Sequence, residues 1–444
     1  MQYLKDALGI KQGEVISLAG GGGKTTAMFT LAAELAREKV LVTTTTKINF
    51  PSECPVTLAA SLEDAVRQSE KHHKGIMVLG RRRVGEKLHG IPPQWVDVLK
   101  KYFPFILVEA DGAARRPLKG YAEYEPVIPS SATLVTAVAG MSVVGKPLND
   151  QFVHRSQLVT ASTGFPGESE VTTWLLANIQ KELVGRIRQQ APYARRILLL
   201  NQLGKKDIDK YRRLGEYLAE SCYDVVLAGS LLPSVHLERI TKGARLPVAG
   251  IILAAGSSTR MGDRNKLLLP WKNKTIIRHV AEGTIQAVGE KTIVVLGHEH
   301  ELVRQELAGL PVTFVVNENY KQGQSGSLRK GLEAVNGHYA GAMFVLGDQP
   351  SIPPQLFSGL LTAFQLEAPP AVYPLYNGRR GNPVIFHKDL FPNLKTITGD
   401  RGGRQVLNEL GNKALAVPTV FKQVVQDIDT YSDWTHLTGE EISR

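Results

Sequence analysis

Val248-Ala-Gly-Ile-Ile-Leu-Ala-Ala-Gly256 is an apolar run that ends on glycine, and Gly13-Glu-Val-Ile-Ser-Leu-Ala-Gly20 shows the same design nearer the N-terminus. Each is followed by a helix-like pattern and then by a short β-branched run, Val40–Thr43 in one case and Lys291–Leu296 in the other. Strand, glycine turn, helix and strand in that order predict α/β architecture, with parallel sheets covered by helices on both faces. Between the two runs lies Glu238-Arg-Ile-Thr-Lys-Gly-Ala-Arg-Leu-Pro247, polar and punctuated by Gly243 and Pro247. A boundary near Gly243 gives two tandem doubly wound domains, 1–243 and 244–444. The residues after the two glycine turns differ, so the halves are not an internal repeat.

Composition narrows the function classes. With 444 residues, 43% apolar and 21% charged, the chain has the size of two to three globular domains. Its 42 Gly and 24 Pro are dispersed, which excludes collagen-like and low-complexity chains. Two cysteines and no CxxC exclude a disulfide scaffold and a Cys-rich zinc site, and a reducing cytoplasm is expected. No apolar run reaches membrane-spanning length, and MQYLKDALGI lacks the apolar core of a signal peptide. The formal charge of +11 divides into +8 through Gly243 and +3 after it. That balance suits phosphate-bearing small molecules. Arg81-Arg82-Arg83, without interleaved aromatics, reads as a solvated loop, so neither nucleic acid nor membrane is an expected partner.

In the first half, Gly20-Gly21-Gly22-Gly23-Lys24-Thr25-Thr26 sits where a strand meets the helix expected over 25–38. Glycine N–H groups, a helix N-terminus and a lysine together suit a phosphate, and Thr25 offers a hydroxyl to magnesium. A full Walker A loop has glycine six residues before the lysine, where this chain has Leu18. Phe105-Ile-Leu-Val-Glu109-Ala-Asp111-Gly112 brings carboxylates to the end of a buried strand. There an acid can hold magnesium opposite the glycine loop, or Asp111 can shape a turn with Gly112. Asn201 is the one residue of Leu200-Asn-Gln-Leu-Gly204 that matches a base-reading Asn-Lys-x-Asp. This ordered series, with Val42-Thr-Thr-Thr-Thr-Lys47-Ile and Glu123-Tyr-Glu125-Pro126-Val-Ile-Pro129, resembles the YqeC-like accessory proteins of selenium-dependent molybdenum hydroxylases over roughly residues 1–240. The resemblance implies a P-loop-like nucleotide binder, with ATP or GTP as the nucleotide and Lys47, Arg115, Arg116 and Lys119 as candidates for an anionic partner.

The second half carries the sharper chemistry in Leu253-Ala254-Ala255-Gly256-Ser-Ser-Thr-Arg260-Met-Gly-Asp-Arg-Asn-Lys266-Leu-Leu-Leu-Pro270. A glycine turn with two cations at fixed offsets can hold a nucleoside triphosphate, Arg260 forking onto its outer phosphates and Lys266 neutralising the α-phosphate during attack. Asp348 follows the apolar run Ala342–Leu346, where one aspartate and another nearby would suffice for magnesium. Gln324, Ser325 and Ser327 lie in a loop expected just before a helix over 328–335. His298-x-His300 lacks the surrounding spacing of a metal site and reads as surface.

These motifs, with Gly399-Asp-Arg-Gly-Gly-Arg404 and Asp427-Ile-Asp429-Thr, resemble the MocA-like molybdenum cofactor cytidylyltransferases over about residues 247–435. The resemblance implies a Rossmann-type nucleotidyltransferase domain and transfer of CMP from CTP to molybdopterin-bound molybdenum. It also implies Mg2+ on Asp348 and Asp429, and a second-substrate wall of Gln324, Ser325, Ser327, Asn382 and Arg404, with Arg379, Arg380 and Asp400 in the same stretches. Asp429 is preferred to Asp427, which strand alternation would turn to the opposite face. Where many relatives have Gly-His-Pro this chain has Gly381-Asn382-Pro383, and asparagine takes up no proton. A recipient molybdenum hydroxylase is the implied protein partner. Two other readings stay open: transfer to a different phosphate acceptor, and a nucleotide-gated cofactor-delivery chaperone without transferase activity.

Overall fold

Alternating apolar strands and amphipathic helices build two separate mixed sheets in the computed structural model, which describes residues 2–50, 54–256, 265–289, 291–399 and 402–438. The chain divides into two units, one of residues 1–162 and 167–244, the other of 163–166 and 245–444.

The large sheet of the first unit has nine strands: β1 (Glu14–Gly20), β2 (Lys39–Thr44), β3 (Val56–Leu58), β4 (Gly75–Gly80), β5 (Phe105–Glu109), β6 (Leu134–Gly140), β7 (Arg195–Asn201), β8 (Val225–Ser230) and β9 (His236–Ile240). Their order is β9-β8-β7-β6-β1-β5-β2-β4-β3, parallel throughout except for β9. Every residue of β1, β5 and β6 is buried, as expected of central parallel strands covered on both faces. The helix α1 (Lys24–Leu35) follows β1 and buries Met28, Leu31 and Leu35 in the same core as Ile16, Leu107 and Val138. Arg82–Val84, read from sequence as part of a solvated loop, is instead an exposed strand of a three-stranded ribbon with Lys47–Asn49 and Lys87–His89.

In the second unit β10 (Val248–Ala254) is flanked by β11 (Thr292–Leu296) and β13 (Gly341–Leu346), both parallel to it, with β12 (Val312–Val316) outside β11. Beyond β13 the sheet is antiparallel: β16 (Val384–His387) pairs with β13, and β14 (Ala371–Tyr376) joins β16 and the short β15 (Arg379–Arg380). A last strand, β17 (Leu415–Pro418), runs parallel to β14. The expectation of an all-parallel sheet therefore fails on this side. The reason is local, since β14 to β16 are joined by a tight turn at Asn377-Gly378, both with positive φ. Among the described residues no helix is long and apolar enough to cross a membrane.

Candidate functional site

Each sheet opens a cavity at the carboxyl ends of its central strands, of about 750 Å³ in the first unit and about 650 Å³ in the second.

The first cavity begins at the turn from β1 to α1. Gly22 has φ of +82°, and a Cβ there would overlap the backbone of Gly140, so the close approach of loop and β6 requires glycine. The N–H groups of Gly20, Gly21 and Gly22 are all taken, by Asp111, the Val138 carbonyl and the Arg116 carbonyl. The donors left to a ligand are those of Gly23, Lys24, Thr25 and Thr26 at the open end of α1. Asn201 braces the loop: its Nδ2 donates to the Gly22 carbonyl at 2.7 Å, and its Oδ1 accepts from Leu231 N at 3.2 Å.

Behind the loop lies a buried charge network. Lys24 Nζ donates to the Gly20 carbonyl and pairs with Asp111 at 3.0 Å and Glu109 at 3.8 Å. Burial opposes its charge, but the pull of Asp111 and Glu109 outweighs that and holds its pKa above the ordinary lysine value. Asp111 also faces Lys119 at 3.6 Å, and Lys119 pairs with Glu125 at 2.9 Å. Glu109 is the carboxylate on the cavity wall. It accepts from the Thr25 hydroxyl at 3.0 Å, and burial pushes its carboxyl up against the opposing charge of Lys24. A hydroxyl and a carboxylate side by side at a helix terminus make a donor set that fits magnesium beside phosphates.

In the second unit Lys266 lies in a short 3-10 turn, Lys266–Leu268, opened by the Asn265 side chain accepting from Leu267 N. Its ammonium stands between two carboxylates, 2.6 Å from Asp348 Oδ2 and 3.0 Å from Asp429 Oδ1. Burial opposes the charge, and the two aspartates outweigh it and raise the pKa. Two carboxylates side by side are oxygen donors of the kind Mg2+ takes. Among the described residues no three His, Cys, Asp or Glu side chains form a metal cage, so substrate oxygens would have to complete such a site.

Asp429 is placed by the helix that follows it. Thr430 and Asp433 cap that helix, α7 (Tyr431–Thr438), reciprocally: Asp433 N donates to Thr430 Oγ1 at 3.1 Å and Thr430 N to Asp433 Oδ2 at 2.7 Å. The Asp429 carboxylate meets Lys266. Trp434, fully buried, anchors α7 by donating from Nε1 to the Pro270 carbonyl at 2.7 Å. Thr430→Ala should lower the thermal midpoint of this unit by about 2–4 °C, the loss of about 1 kcal/mol. Calorimetry of the full chain checks it, and an unchanged midpoint would mean that the cap does not secure α7.

The model of the YqeC protein family matches residues 16–157, and that of the MobA-like NTP transferase domain matches residues 250–414. The uncharacterized protein YqeC of Escherichia coli (strain K12) is 30% identical over 211 residues, 44% of this chain and 78% of that protein. The chain belongs to the YqeC family, with a MobA-like nucleotidyltransferase domain fused behind it. Over 192 residues the second half is 28% identical to the molybdenum cofactor cytidylyltransferase of Escherichia coli (strain K12), 43% of this chain and 94% of that one. It is also 27% identical over 196 residues to the nicotine blue oxidoreductase of Paenarthrobacter nicotinovorans, 41% of this chain and 92% of that one.

In the YqeC half, Gly22, Gly23, Lys24 and Thr25 line the cavity, whereas Gly20 and Gly21 lie behind it. Lys119, read as a candidate for an anionic partner, is fully buried and neutralised by Glu125 and Asp111, so it cannot serve one. Lys47, Arg115 and Arg116 do reach the cavity. Asn201 is committed to bracing the loop and does not read a base, a role that its spacing alone could not reveal.

In the MobA-like half, Leu253, Ala254, Ala255, Gly256, Lys266, Asp348, Asn382 and Arg404 line one cavity. Arg260 and Asp400 lie outside the described residues. Gln324, Ser325 and Ser327 are not in a loop: the helix α4 (Gln324–Glu333) begins at Gln324 itself. Gln324 and Ser327 face the cavity, with Ser327 held by Asn317 at 3.0 Å, while Ser325 is buried and does not line it. The strand expected to turn Asp427 away is also absent, because a 3-10 turn at Lys422–Val425 passes into irregular chain. Asp427 therefore lines the cavity, accepting from Gln349 at 2.6 Å, and burial and then the Asp348 charge push its carboxyl up. His298 and His300 lie part-exposed beside Glu299 and Glu301.

Proposed function

We propose that the MobA-like half transfers the cytidylyl group of CTP to molybdopterin-bound molybdenum, and that the YqeC half is a nucleotide-binding accessory domain in the maturation of a molybdenum hydroxylase. The observation that carries the first reading is the Lys266–Asp348–Asp429 cluster, of which Lys266 and Asp348 line the cavity and Asp429 does not. Similarity alone does not carry it, because relatives at nearly equal identity include a transferase and an oxidoreductase by name.

A phosphate oxygen of the cofactor attacks the α-phosphorus of CTP in line. The bond from that phosphorus to its bridging oxygen breaks, and the electron pair leaves with pyrophosphate. No protein nucleophile is needed, since the attacking phosphate is already ionised. Lys266 neutralises charge that builds on the α-phosphate. Asp348 and Asp429 would hold Mg2+, which would neutralise the triphosphate and the departing pyrophosphate. Arg260 grips the outer phosphates, and Gln324, Ser327, Asn382 and Arg404 orient the second substrate. In the YqeC half, the N–H groups of Gly23 to Thr26 hold phosphates of ATP or GTP, and Thr25 and Glu109 hold its magnesium.

Pyrophosphate release by the full chain, with Mg2+ and molybdopterin cofactor, should occur with CTP and not with ATP or GTP. Preference for GTP would overturn the base while leaving the reaction. Release with a different phosphorylated acceptor alone would overturn the second substrate. No release from folded protein that still binds the cofactor would favour the delivery chaperone.

A further inference from the structure

The cavity of the YqeC half is lined by residues that follow strands on both sides of β1, an arm on each side. In the sheet, β5 and then β2 lie on one side of β1, and β6 and then β7 on the other. Strands are spaced about 4.8 Å apart, so each arm reaches about 10 Å from the glycine loop. Gln202, just after β7, lines one arm, and Lys47, on the ribbon that follows β2, lines the other. A nucleotide whose phosphates sit on the loop extends its sugar and base into only one arm.

The arm beyond Glu109 has a definite chemistry. Five cations line the whole cavity (Lys24, Lys47, Lys87, Arg115 and Arg116) against one carboxylate, Glu109. Lys24 is committed to Asp111, Arg116 donates to the Asp150 carbonyl, and Lys87 donates to Asn49. Lys47 and Arg115 are exposed, and among the described residues no carboxylate pairs with either. Phe29, Ile48 and Phe50 supply apolar wall to the same cavity, with the Arg83 guanidinium 4.3 Å over the Phe50 ring. Neither the two uncommitted cations nor the apolar wall is used by phosphates seated at the open end of α1. The volume of about 750 Å³ lies in the upper part of the range for small-molecule sites, about 300–1,000 Å³.

We propose that this arm binds a second small molecule beside the nucleotide: an anion with an apolar or aromatic body, its charge between Lys47 and Arg115 and its body against Phe29, Ile48 and Phe50. The word "second" rests on the nucleotide reading of the glycine loop, and the arm itself does not.

Phenyl phosphate and inorganic phosphate, titrated calorimetrically into the full chain, test it. The titrations are made with and without saturating Mg2+ and a non-hydrolysable ATP or GTP analogue. Phenyl phosphate should bind with the analogue present and more tightly than inorganic phosphate. The double variant Lys47→Ala/Arg115→Ala should weaken that binding at least tenfold and leave analogue binding unchanged, which also shows that the variant is folded. Equal phenyl phosphate binding by variant and wild type would overturn the proposal, and equal affinity for the two phosphates would overturn the apolar body. Lys24→Ala separates the two readings. If it leaves the stoichiometry of analogue binding unchanged, the nucleotide reading fails, and the comparison made without analogue still decides the arm.

Discussion

Replacing Lys266 by Ala should slow pyrophosphate release by about a hundred- to a thousandfold, the range seen when one preorganised donor is removed from an oxyanion hole. The same variant should bind manganese more tightly in the absence of nucleotide, by about tenfold. Both effects have one cause. The ammonium stands on the aspartate pair at 2.6 and 3.0 Å, so its charge opposes a divalent ion at the same oxygens, and its removal takes that opposing charge away. A residue with only a structural role would lower turnover and ion binding together. Electron paramagnetic resonance of titrated manganese and a coupled pyrophosphate assay give the two numbers. Unchanged turnover in folded protein would remove Lys266 from the reaction, and weaker manganese binding would remove the competition.

Asp111→Ala is the substitution expected to destabilise the YqeC half most. Asp111 is fully buried and does three things at once: it accepts from Gly20 N, pairs with Lys24 and faces Lys119. Its loss leaves Lys24 with Glu109 at 3.8 Å as its nearest carboxylate and strips one partner from Lys119. Breaking a buried pair from one side costs about 3–5 kcal/mol, because the remaining charge cannot reach water. For a unit of this size that corresponds to a fall of roughly 10 °C in the thermal midpoint. Calorimetry of the full chain should show this fall in one transition while that of the MobA-like half stays in place. Asp111→Asn, which keeps an acceptor for Gly20 N, should fall between the variant and wild type. A shift below about 2 °C for Asp111→Ala would mean that water or Glu109 compensates the lysines.

The strand–turn–helix unit around Gly20 and the strand that ends just before Gly256 were legible in the sequence because apolar periodicity and glycine punctuation are local signals. Lys266 and Asp348 were legible as residues of one site, since both follow central strands, but their contact with each other was not. What was hidden depended on contacts between distant segments. Lys119 looks like any surface cation until Asp111 and Glu125 close over it. Glu109 and Asp111 stand two residues apart at the end of one strand, and only the fold shows that the first borders the cavity and the second does not. Asp427 was assigned to the wrong face because alternation was applied to a stretch that is not a strand. The start of α4 at Gln324 was missed because glycine and serine dilute the helical pattern, and Ser327 is held by Asn317 from a separate segment.

Asp429 reaches Lys266 across 163 positions of chain. A ribosome adding roughly 5–20 residues per second needs about 8–33 s to cover that distance. Throughout that interval the nascent domain has its lysine but lacks Asp429, for about the first half it lacks Asp348 as well, and α7 with its Trp434 anchor has yet to be made. Completion of the three-residue cluster is therefore a late event of synthesis, after the strands that frame the cavity have been translated.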